Sequence, residues 1–69
     1  MRFAIMFHHS DSKYVDQLVV FDTIKEARQA LDRQYDHWMD LQHTEITRIT
    51  DHVVFVGLSY HMSTWIKAV

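Results

Sequence analysis

Hydrophobic positions recur with period two at the start of the chain, switch to a helical period in the middle, and return to period two afterwards. Phe3, Ile5 and Phe7 alternate with Arg2, Ala4, Met6 and His8, which predicts a strand over residues 2–8. Both sets carry apolar side chains, so this strand belongs inside a sheet. Residues 9–13 are polar and read as a loop; residues 14–21, densest at Leu18-Val19-Val20-Phe21, read as a second strand joined to the first as a hairpin. From Thr23 to about Leu41 the spacing becomes helical. Ile24, Ala27, Leu31, Tyr35 and Trp38 fall within one arc, with Met39 at its edge. Lys25, Gln29, Asp32, Arg33, Asp36 and Asp40 face the other way. Thr23 suits an N-cap, Glu26 is spaced to reach back to the backbone N–H of Thr23, and Asp22 and Glu26 place negative charge at the positive end of the helix dipole.

Beyond the helix, Gln42-His43-Thr44 returns the chain. Residues 45–50 alternate, with Ile46 opposite in sense to Glu45 and Thr47, and are rich in β-branched side chains. Asp51-His52 reads as a tight turn without the glycine that usually marks one. Residues 53–58 are apolar on both faces, as in a central strand. Gly57, the sole glycine, falls inside that run and marks a bulge or a close contact. Ser59-Tyr60-His61 reads as another turn before a last strand over residues 64–69. No proline interrupts pairing anywhere.

The order strand, strand, helix, strand, strand, strand predicts one α+β domain over residues 1–69. Its single, mostly antiparallel sheet has four to five strands, and one long helix packs on one face. The alternative is a β-grasp arrangement, whose last strand runs parallel to the first. The chain resembles ubiquitin-like folds in element order and helix position, but ends Lys67-Ala68-Val69 without a Gly-Gly tail, so the resemblance implies no conjugation chemistry.

One helix covers one face, yet apolar side chains point to both. A contiguous apolar patch left open on a soluble chain marks an interaction surface. The side-chain sets Ala4 and Met6, and Val54 and Val56, are the interface candidates; a second copy of the chain is the simplest cover, and a different protein partner is the alternative. This favours a homodimeric, non-enzymatic protein-interaction module, without cofactor. The alternative is a small ligand- or metal-binding dimer, possibly enzymatic, using histidines at strand ends. Six histidines stand in 69 residues. His43, His52 and His61 are nine apart, a spacing that sends His52 to the opposite end of a meander from the other two. His8, His9 and His61 with Asp11 form the open ligand combination, but no local ligand pair of the zinc-site type accompanies them.

Composition narrows the remaining classes. The formal charge is −2, with acids and bases scattered, unlike the clustered basic face of a nucleic-acid binder. Asp32, Asp36 and Asp40 form an acidic stripe on the outer helix face, which Arg28 is spaced to pair with at Asp32. Ser10, Ser12, Ser59 and Ser63 lie near histidines without an elbow or a glycine-rich turn. There is no cysteine, which suits a reducing compartment such as the cytoplasm. No stretch approaches the roughly 20 apolar residues of a membrane span.

Overall fold

A computed structural model, describing residues 1–41 and 45–69, places all five strands in one sheet with a single helix lying across it. The return through Gln42-His43-Thr44 lies outside the described residues. The elements are β1 (Phe3–His9), β2 (Asp16–Phe21), α1 (Ile24–Met39), β3 (Glu45–Ile49), β4 (His52–Val56) and β5 (His61–Ala68). The spatial order is β2-β1-β5-β4-β3, and every neighbouring pair is antiparallel. The last strand therefore enters the middle of the sheet, between β1 and β4. It runs antiparallel to β1, which excludes the β-grasp alternative. Arg2 and Val69 continue the β1–β5 ladder by exchanging backbone hydrogen bonds of 3.2 and 2.8 Å.

The element edges differ from the expected ones for local reasons. The strand expected from residue 64 begins at His61, because the Ser10 N–H donates to the His61 carbonyl while the His61 N–H donates to the Ser10 hydroxyl. The second strand starts two residues late, since Ser12 and Tyr14 bond each other in a local turn. The β3–β4 turn falls on Thr50-Asp51 rather than Asp51-His52, with Ile49 pairing directly with His52. Thr50 takes a φ of 50° there, a left-handed backbone that a β-branched residue adopts at a cost.

α1 begins as its sequence requires. Thr23 caps it by accepting the Glu26 N–H, and the Thr23 hydroxyl donates to the Glu26 carboxylate, in place of the backbone bond expected of that carboxylate. The helix buries Ala27, Leu31 and Trp38, and Leu31 and Trp38 meet Val53 and Phe55; Phe7, Tyr35, Ile46, Met62 and Ile66 pack around them. Trp38 sets its ring edge-to-face against both Phe7 and Phe55, a favoured aromatic geometry. Met39, expected at the margin of this stripe, is exposed. Tyr60 closes the end of the core. It stacks on Phe55 and His9 and lies so close to Gly57 that a Cβ there would stand 2.9 Å from its ring. Gly57 thus marks a close contact just past β4.

Two ion pairs tie the helix to the β3–β4 hairpin. Arg28 reaches Asp51 through two nitrogens at 3.1 Å each, and Arg48 reaches Asp32 at 2.6 Å while lying over the Tyr35 ring. Arg28 therefore pairs with Asp51 and not with Asp32, and the hydrogen bond and charge of Asp51 raise the Arg28 guanidinium above its ordinary value. Asp32 is drawn to the sheet, so the expected acidic stripe reduces to Asp36 and Asp40.

Thr50 offers a direct check of the turn. Thr50→Gly removes the left-handed penalty but adds unfolded-state freedom, so we expect a net gain of roughly 0.5–1 kcal/mol in urea unfolding. A loss of stability would show that Thr50 is at ease in its turn.

Candidate interface on the open sheet face

Strand pairing decides which side chains share a face, because directly opposed residues point the same way. Phe7, Ile46, Val53, Phe55, Met62 and Ile66 all meet the helix side. The alternate residues must point away from it. Across the open side the register builds four rows: Val20, Ala4 and Lys67; then Gln17, Met6, Trp65, His52 and Ile49; then His8, Ser63, Val54 and Thr47; then His61, Val56 and Glu45.

All four interface candidates, Ala4, Met6, Val54 and Val56, fall on this one side. Two of them are nevertheless already covered. Ala4 is fully buried and Met6 only 9% exposed, because each sits low between taller neighbours on both flanking strands: Val20 and Lys67 beside Ala4, Gln17 and Trp65 beside Met6. As surface anchors, Ala4 and Met6 are therefore corrected. The accessible apolar surface shifts towards β3 and β4, to Ile49 at 69% and Val56 at 45% exposure, with Val54 and Trp65 partly open. Trp65 lies beside His52, ring centroids 5.5 Å apart. Next to this pair is a shallow depression of about 410 Å3 lined by Thr47, Ile49, Thr50, His52 and Val54.

The polar residues of this face are sorted by position. Its centre, around Trp65, His52 and Val54, carries no carboxylate or ammonium group. Lys67 stands in the first row and Glu45 in the last, both exposed and neither in an ion pair among the described residues. Asp51, next to His52 in sequence, is turned to Arg28 on the helix side.

The histidine combination does not assemble. His8 and His61 point to the open side and His9 to the helix side, where it stacks on Tyr60. The His8 Nε2 lies 2.9 Å from the Ser12 carbonyl, and the His9 Nδ1 accepts the Asp11 N–H. Among the described residues no three His, Asp or Glu side chains come together as a metal would need. His52 and His61 begin neighbouring antiparallel strands and so lie at opposite ends, as their spacing implies; His43 lies outside the described residues. Among the described residues no helix is long and apolar enough to cross a membrane.

Ile49, Trp65, Lys67 and Glu45 did not emerge from the sequence as interface residues. Local alternation could have assigned Ile49 and Glu45 once Ile46 was placed inward. Trp65 and Lys67 needed the pairing of β5 with β1, which joins residues some 60 positions apart in the chain. Comparison with protein-family models, with curated proteins and with solved structures finds no match.

The two tryptophans report on the two sides of the sheet. In dilute solution acrylamide should quench Trp65 in a Trp38→Phe variant more strongly than Trp38 in a Trp65→Phe variant. Equal quenching would contradict the assignment of Trp65 to the open face.

Proposed function

We propose that the chain is a non-catalytic interaction module that works as a homodimer, each copy covering the open sheet face of the other. Cytoplasmic action suits a chain without cysteine. The observation that carries this reading is the anatomy of that face. Its middle rows carry Met6, Trp65, Val54 and Ile49 among uncharged polar side chains, while the unpaired charges Lys67 and Glu45 stand in the outer rows, in the direction of the division found in protein interfaces. The longer dimensions of the chain, 37 and 25 Å, bound the face at roughly 900 Å2, so an interface of the standard roughly 800 Å2 per partner would use nearly all of it. A twofold pair also covers the face without a second gene product.

Light scattering coupled to size exclusion tests this directly: the mass should approach twice that of the 8.3 kDa chain at high concentration. Val56→Glu, at a position already near half exposed, should shift the mass to one chain with melting temperature within a few degrees of the parent. Val54→Glu should do so at lower ionic strength and higher concentration alike. A strictly monomeric parent would refute the dimer.

A further inference from the structure

We infer that Lys67 and Glu45 set the twofold axis of this dimer, each Lys67 facing the Glu45 of the second copy. This rests on the homodimer reading above. The inference comes from where the register puts these two charges. Among the described residues they are the fixed charges of the open face that make no ion pair, since Arg2, which the ladder also turns to that side, is held by Asp22: Lys67 stands on central β5 beside Ala4, and Glu45 on edge strand β3 beside Val56. They stand two strands apart and three two-residue steps apart along the strands. With ordinary strand and residue spacings this is roughly 22 Å, so they cannot neutralise each other within one copy.

Face-to-face twofold packing reflects the face across an axis lying in its plane. An axis crossing the Lys67–Glu45 line at its midpoint, and perpendicular to it, brings Lys67 onto the partner's charge of opposite sign twice over. The midpoint falls on β4 between His52 and Val54. That is where the depression lies, flanked by Trp65 on one side and Ile49 on the other. The midpoint set by the two charges thus falls beside the depression, on the two β4 residues that line it. Any axis that superposed either charge on its own copy would bring like charges together, which is how a self-facing surface rejects wrong registers.

Charge reversal gives a test that a merely structural role would not pass. Lys67→Glu makes two Glu–Glu contacts in its homodimer, and Glu45→Lys makes two Lys–Lys contacts. Each variant alone should dimerise at least tenfold more weakly at low ionic strength, and the loss should shrink at high salt as the charges are screened. Mixed in equal amounts, the two should form a heterodimer in which both opposite-sign contacts return, and the double variant Lys67→Glu/Glu45→Lys should dimerise as the parent does. Circular dichroism confirms that each variant is folded before the assay. A dimeric parent whose single variants associate normally, or whose mixture associates no better than either alone, overturns this axis and leaves the dimer standing. A monomeric parent overturns both.

Discussion

The structure depends on the packing of one helix stripe against one side of a five-stranded sheet. Leu31 and Trp38 meet Val53 and Phe55 from a helix that touches every strand. A chain of this size hides only about 60% of its unfolded surface, so it has one core to build and builds it on one side. All else follows from that asymmetry. The ion pairs Arg28–Asp51 and Arg48–Asp32 hold the helix to the β3–β4 hairpin at the margin of the core. Tyr60 caps its end by lying on the one position where no Cβ intervenes. Among the described residues the second side receives no element and is made tolerable by its own side chains.

The way it is made tolerable differs across the sheet. Towards β1 the side is closed from within, by small or flexible residues set between tall neighbours, as at Ala4 and Met6. The β2 edge beyond them is irregular: the register shifts between Ile5 and Met6, and such a bulge blunts an edge against further pairing. A buried hydroxyl sits beside the same point, where Thr64 donates to the Met6 carbonyl at 2.8 Å. Towards β3 and β4 the ladder is regular, the apolar side chains are themselves the larger ones, β3 is an edge strand, and Ile49, Val54 and Val56 stay accessible. The open apolar surface is therefore off-centre, and it is off-centre because of register, not composition.

That distinction explains what could be read from the chain beforehand. The helix was legible because its stripe, its cap at Thr23 and its length are all local. The strands and their antiparallel class were legible because alternation is local too. Their edges were less so: Ser10 extends β5 to His61 through a contact across 51 positions, and no neighbouring residue announces it. Ala4 and Met6 share one side with Val54 and Val56, a relation that parity along a strand fixes only once pairing is known. Their burial was not legible, because it depends on Trp65 and Lys67, which arrive from the far end of the chain. Arg28 was assigned to Asp32 by helical spacing, the nearest available carboxylate, whereas the turn at Thr50-Asp51 brings a better-placed one from the sheet.

Placing the last strand in the middle of the sheet has a further consequence. β5, like β4, contributes to both sides, Thr64 and Ile66 inward and Trp65 outward. The core and the open face therefore both need β5 in place between β1 and β4. Such late, long-range pairing is slow to form because its loop closure must precede its contacts. Until then β1 and β4 each lack a neighbour, and the open face around Trp65 and β4 is not assembled. Association through that face would accordingly follow folding of the monomer, since neither the anchor side chains nor the charge pattern is in register before β5 is in place.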